Sequence, residues 1–365
     1  MHPGEIVSVG SETRSINRDK LASSVIHGRS VWVDNVRGLA ILLVVVGHVI
    51  QFGSHGNFDF FSNWTFVGIY AFHMPLFAAV SGYLACRTFE RRGKTSILKD
   101  RVRSLVVPFL AWTALFGTAV AIVTKKWTTA GEAAGGFLAQ FLFPASTLWF
   151  LIFLFFSFVI AAAALYAERW IGILSLPISV LFVFVIPLND ALSIGQLRWL
   201  YPFFLAGLLA NRYKRWLGRH ESVIVCVSTV IFFAALLWFW QRDYSVYLSG
   251  GRLIGEDLVE SIMIWTYRFV LGGTGVIAAT GVVRFVSKRV PMRLLQALGR
   301  ASLGIYCLQT YFMVLLAHLP APDSRSYFLL YVPLVACSVL VCTYLGTHYV
   351  LERHRVLRIF LLGAR

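Results

Sequence analysis

Residues 33–53 read VDNVRGLAILLVVVGHVIQFG. The stretch is long and apolar enough to cross a bilayer, whose hydrocarbon core of about 30 Å takes about 20 residues of helix. Yet it carries Asp34, Arg37 and His48. An ionisable side chain at the centre of a membrane helix costs roughly 2.5–3.5 kcal/mol on insertion scales, and where one persists it usually marks a function. Arg37 and His48 are eleven residues apart, which at about 100° per residue closes three turns to within about 20°. Both therefore point to one side of the helix, separated by about 16 Å along its axis. Asp34 precedes Arg37 by three residues, a spacing that lets the two side chains pair. Plainer readings stand beside this one: Arg37 snorkelling to lipid phosphates from a helix end, and His48 neutral and hydrogen-bonded inside a bundle.

The rest of the chain supports a membrane setting. It has 365 residues, of which 58% are hydrophobic and 14% charged, against roughly 25% charged in a soluble domain; its mean hydropathy is +0.72. The net charge of +16 would suggest nucleic acid in a soluble protein. Here the basic residues fall between apolar runs, so membrane orientation accounts for them and no nucleic-acid partner is expected. The five cysteines lie within or at the ends of apolar segments, with no spacing that suggests a disulfide framework or a metal site.

Ten apolar segments follow one another, at roughly 33–53, 64–86, 104–124, 137–165, 170–187, 197–212, 221–240, 260–283, 295–317 and 327–350. Only helices satisfy their own backbone in lipid, so the expected fold is an all-α membrane bundle of about ten spans. The fifth and sixth are the least regular, because Pro187, Asn189 and Asp190 interrupt the run. With the amino terminus inside, 24 of the 33 Lys and Arg residues fall on the inner side. Seven fall outside, Arg198 and Arg268 among them. This asymmetry predicts that both termini are cytoplasmic. Residues 1–30 are polar and read as a mobile cytoplasmic tail, 31–352 as one transmembrane domain, and 353–365 as a basic cytoplasmic tail. No separate soluble domain is left to carry chemistry.

A second histidine, His73, lies in FHMPLFAAVSGYL, near the middle of the second span. Neighbouring antiparallel helices should bring His48 and His73 to one cavity, with Pro75 loosening the helix beside His73. Two such histidines would need further ligands to hold a metal, and none is suitably placed, so no metal is expected. The loop that follows reads RTFERRGKTSILKDRVRSLVVPFLAW. Ordinary topogenic charge explains most of it. Lys99, Arg101 and Arg103 stand at the start of the third span, where forked guanidinium donors suit a phosphorylated cytoplasmic ligand.

At these residues the chain resembles the acyltransferase family 3 membrane proteins. VDNVRGLAILLVVVGH resembles the family's first-helix motif, an Asp, an Arg three residues later and a His eleven after that. FHMPLFAAVSGYL resembles the second-helix motif and RVRSLVVPFLAW the basic run before helix three, and the likeness extends over about residues 31–350. The resemblance implies a ten-helix acyltransferase of the bacterial plasma membrane. Such an enzyme moves an acyl group, most often acetyl, from cytoplasmic acyl-CoA to a hydroxyl of an envelope sugar, polysaccharide or glycolipid. It maps the family's essential histidine to His48 and its essential arginine to Arg37. Two positions depart from the pattern. Asp100 stands where the first arginine of an Arg-x-x-Arg run is common. The last landmark, usually Tyr-x-x-His, here runs from Tyr306 to Gln309, so the resemblance implies no proton-handling role there.

The expected mechanism is vectorial. Arg101, Arg103 and Lys99 hold the CoA phosphates at the inner face, and the pantetheine arm reaches up to His48. His48 then acts as general base on the acceptor hydroxyl or as a transient acyl carrier. His73 donates to the carbonyl oxygen or holds the acceptor, while Arg37 with Asp34 is structural or binds the donor. A transporter or flippase of a lipid-linked sugar is the competing reading, since intramembrane charges suit transporters too.

Overall fold

The computed structural model describes residues 30–54, 59–91, 94–124, 130–142, 148–186, 195–249, 258–316, 319 and 326–364. Of the expected tail at 1–30, all but Ser30 lies outside these residues, as does the interruption at 187–190. Every regular element described is helical. In chain order they are α1 (Val31–Gly53), α2 (Trp64–Arg91), α3 (Lys94–Arg101), α4 (Val107–Thr124), α5 (Ala130–Leu142), α6 (Trp149–Ile171), α7 (Ser175–Val185), α8 (Gly195–Arg212), α9 (Lys214–Arg219), α10 (Glu221–Phe239), α11 (Val246–Ser249), α12 (Leu258–Ser287), α13 (Arg293–Leu316), α14 (Val332–Leu345) and α15 (Arg355–Leu362).

Among the described residues, seven helical runs are long and apolar enough to cross a membrane, fewer than the ten spans expected. The difference has physical causes. One run, Trp149–Val185, is two helices. Gly172 at φ 59°, a conformation open to glycine at little cost, breaks it so that α6 and α7 pack on each other. Two further helices, α8 and α13, are buried in the bundle rather than bathed in lipid. They therefore tolerate Arg198 in one and Gln309 in the other. The fourth expected span, 137–165, is not a single helix either: α5 ends at Leu142 and α6 begins at Trp149.

Two helix pairs form the centre, and both rely on glycine. A Cβ at Gly38 of α1 would collide with the Leu295 carbonyl of α13, and one at Gly299 of α13 with the Asp34 carbonyl of α1. The second pair repeats the device: Gly82 of α2 meets the Phe204 carbonyl of α8, and Gly207 of α8 meets the Ala79 carbonyl of α2. In lipid there is little hydrophobic drive between helices, so close backbone approach through small residues supplies the contact energy. In each pair the reciprocal fit sets the two helices parallel. α1 also packs on α2, and α14 closes over α1 and α13. Tyr327, fully buried, donates its hydroxyl to the Val49 and Ile50 carbonyls (3.0 and 2.7 Å) at the end of α1.

α10 and α12 pack against each other and turn large apolar side chains outward, among them Val230, Phe233, Trp238, Met263 and Val282. Such a surface suits lipid and not water. π-helical turns at Val102–Val106 and Tyr327–Tyr331 each precede a proline, Pro108 and Pro333. A proline lacks the N–H that the carbonyl four residues back would accept, and a widened turn absorbs the mismatch. Arg198 and Arg268, counted on sequence among the outer loop charges, lie instead within α8 and α12, 8% and 3% exposed. Each donates to a backbone carbonyl, Arg198 to Ile186 (2.6 Å) and Arg268 to Tyr244 (2.7 Å).

Candidate active site

The face of α1 that carries Arg37 and His48 turns inward, between α2 and α13. Near the start of α1, the Arg37 guanidinium donates to Ser302 Oγ of α13 at 2.8 Å, and Asp34 beside it is 4% exposed. Three turns on, His48 lies against Gln309 of α13 and within electrostatic reach of His73 on α2. Ser302, Tyr306 and Gln309 share one face of α13, at helical spacings of four and three. A polar seam thus runs along the α1–α13 contact, with Arg37–Ser302 at one end and His48–Gln309 at the other.

The neighbours of His48 fix the geometry of this upper end. His73 is 2% exposed, and its Nδ1 lies 2.9 Å from the Ile69 carbonyl. A carbonyl only accepts, so Nδ1 carries the proton and the neutral ring presents Nε2 as an acceptor. Tyr70 lies 4.7 Å from His73, ring to ring, and donates its hydroxyl to Gln51 Oε1 at 2.9 Å. Tyr247 of the short α11 stacks over His73 with centroids 6.3 Å apart. Phe150 of α6 packs on Phe77 and on Tyr306. Gln309 is 1% exposed; its amide oxygen faces the His48 ring as an acceptor, and among the described residues its Nε2 has no hydrogen-bond partner. His48 itself is neither sealed nor open, being of intermediate exposure.

The basic run at the third span divides. Arg101 donates to Thr88 Oγ1 (3.2 Å) and lies 4.0 Å over the Phe158 ring. It lines a cleft of about 960 Å³ between α2, α3, α6 and α8. Glu90 and an ion pair of Arg212 with Glu168 (2.7 Å) stand at the same cleft. Arg103 turns away and donates to the Ala364 carbonyl (3.1 Å), just past α15, which Trp112 also fastens through Leu361 (2.9 Å). Two residues apart on a helical backbone, Arg101 and Arg103 point to opposite sides. Lys99 is exposed. The structure therefore brings together His48, His73 and, lower on the seam, Arg37 with Asp34. It does not bring Arg101 and Arg103 to one pocket.

Ser302 and Tyr70 were not read as site residues from the sequence, and Gln309 only as a departure from a pattern. The spacing of Ser302, Tyr306 and Gln309 on one helical face was the available signal. Among the described residues no group of three or more His, Cys, Asp or Glu side chains is gathered as a metal site.

The fold and site define a helical membrane bundle with two histidines within electrostatic reach of each other in its interior, at the head of a seam anchored by Arg37. Residues 30–347 match the family model described as an acyltransferase domain, and the chain belongs to that family; it is an integral-membrane acyltransferase. It is similar to the nodulation protein NolL of Sinorhizobium fredii, 32% identical over 303 residues, with 78% of each chain covered. It is also similar to the nodulation protein NolL of Mesorhizobium japonicum, 26% identical over 304 residues, covering 78% of this chain and 76% of that one. No solved structure matches the chain.

Proposed function

We propose that this acyltransferase is an O-acetyltransferase that takes acetyl from cytoplasmic acetyl-CoA and delivers it to a hydroxyl of an envelope sugar, polysaccharide or glycolipid. The observation that carries this reading is the seam. Arg37 sits at its lower end, and His48 with His73 lies about 16 Å higher. That interval suits a donor whose charged end stays at the inner face while its thioester enters the bundle. The protein then lies in the plasma membrane with both termini cytoplasmic, in keeping with the basic residues around α3, α9 and α15.

Arg101, facing the cleft, is the member of the basic run proposed to meet the CoA phosphates. Arg103, bound to the carboxyl-terminal segment, positions that segment instead. At the head of the seam, His48 removes the proton of the acceptor hydroxyl as its oxygen attacks the thioester carbon. The carbon–oxygen bond forms, the carbon–sulfur bond breaks, and the departing thiolate takes the proton from the imidazolium. General-base assistance of this kind contributes typically 10²–10⁴-fold. His73, with its proton held by Ile69, presents an acceptor nitrogen, which suits a second acceptor hydroxyl and not an acyl oxygen.

The test supplies labelled acetyl-CoA to one face of proteoliposomes containing the purified protein and a hydroxyl-bearing glycolipid. The reading predicts an O-acetyl ester on the glycolipid, detected by mass spectrometry. Movement of the glycolipid across the bilayer with no ester formed would favour a flippase and overturn it.

A further inference from the structure

The reaction as proposed leaves one need unmet. When the hydroxyl oxygen attacks, the electron pair of the carbon–oxygen double bond moves onto the acyl oxygen. Inside a helical bundle that charge is best met by a hydrogen-bond donor already in place. The groups nearest His48 can be taken in turn. His73 spends its ring proton on the Ile69 carbonyl (2.9 Å). Tyr70 spends its hydroxyl proton on Gln51 Oε1 (2.9 Å), and these two side chains are thereby joined to each other. Tyr306 Oη accepts from the Phe150 backbone N–H and sits almost one turn below Gln309. Gln309 lies against His48, is 1% exposed, and holds two N–H donors on Nε2 that find no partner among the described residues.

A buried amide whose N–H groups are unbonded is unfavourable. A helix–helix contact that needed only packing would be better served by leucine. The geometry points to Gln309 as the donor to the acyl oxygen: Nε2–H holds the thioester carbonyl beside His48 and stabilises the oxyanion as the carbon becomes tetrahedral. When the carbon–sulfur bond breaks, the carbonyl re-forms and the hydrogen bond relaxes. This inference rests on the acyl-transfer reading above. It gives a role to the position where this chain departs from the histidine of its resemblance: an amide donates without a proton to lose, so it supports the oxyanion and leaves proton transfer to His48 alone.

The experiment compares Gln309→Leu, Gln309→Glu and Gln309→His with the wild type for acetyl-CoA turnover and thermal unfolding in nanodiscs. Gln309→Leu is expected to lower kcat by about 10²–10³-fold, as removal of one oxyanion donor does, with KM for acetyl-CoA changed less than about threefold. Its unfolding temperature should be equal or higher, because an unbonded amide has been replaced by a shape-matched apolar group. Gln309→Glu, which supplies acceptors without a donor, should be as slow; Gln309→His, which can present an N–H, should recover part of the rate. Wild-type kcat in Gln309→Leu, or a lowered unfolding temperature that accounts for its lost rate, would overturn the inference. The parent reading fails separately, by absence of turnover in the wild type.

Discussion

The two central helix pairs are built alike and used differently. α1 with α13 and α2 with α8 each approach through a reciprocal pair of glycines that meets the facing carbonyls. Around that contact, α2–α8 is held by a satisfied polar bond, with the Arg101 cleft at one end. Asn211 Nδ2 donates to the Tyr83 carbonyl at 2.6 Å, and Phe204, whose carbonyl meets Gly82, is fully buried. α1–α13 carries Arg37–Ser302 and the unsatisfied Gln309 beside His48. The same packing device therefore serves as scaffold in one pair and, on the proposed reading, borders the reacting groups in the other.

This comparison can be broken in order of expected effect. Gly82→Val and Gly38→Val should both prevent accumulation of folded protein. The added carbons meet backbone carbonyls that cannot move aside, which costs more than the ~1–3 kcal/mol of ordinary overpacking. Fluorescence-detected size exclusion would check it, and a monodisperse Gly38→Val protein would contradict the scaffold role of α1–α13. Next, Ser302→Ala should cost up to about 1.5–3 kcal/mol, the range for a hydrogen bond to a charged group. It should also raise KM for acetyl-CoA by freeing Arg37. Asn211→Ala should cost only about 0.5–1.5 kcal/mol and leave kinetics untouched, so thermal unfolding and initial rates measured together separate the two pairs. A smaller effect is expected from Arg103→Ala, which should loosen α15 and speed proteolysis of residues 355–364, while Arg101→Ala should raise the donor KM and flatten its salt dependence. Smallest of all, Arg242→Ala removes an exposed pair with Asp59 and should be indistinguishable from wild type.

Much of this was legible in the sequence because lipid punishes charge. Arg37, His48 and His73 stand out against apolar surroundings, and helical geometry alone puts the first two on one side. The all-α bundle follows from apolar length. What could not be read was partnership. A serine and a glutamine in a membrane helix are ordinary helix–helix contacts until one sees that Ser302 faces Arg37 and that Gln309 faces His48 with its N–H groups unbonded. Arg101 and Arg103 look like one cluster in a line of text, yet a helical backbone sends them to the cleft and to the carboxyl-terminal helix. Arg198 and Arg268 look like loop charges because hydropathy does not register a buried carbonyl as a partner. The division of residues 149–185 turns on the conformation of Gly172, which a run of apolar residues does not announce.

The central claim is that the inward imidazole of His48 performs the proton transfer and that the seam below it only binds. Acetyl-CoA turnover by His48→Ala, in nanodiscs and at an unfolding temperature matched to the wild type, tests it most directly. The account predicts a fall of at least about 10²-fold with acetyl-CoA affinity retained. Wild-type turnover in that variant would contradict it.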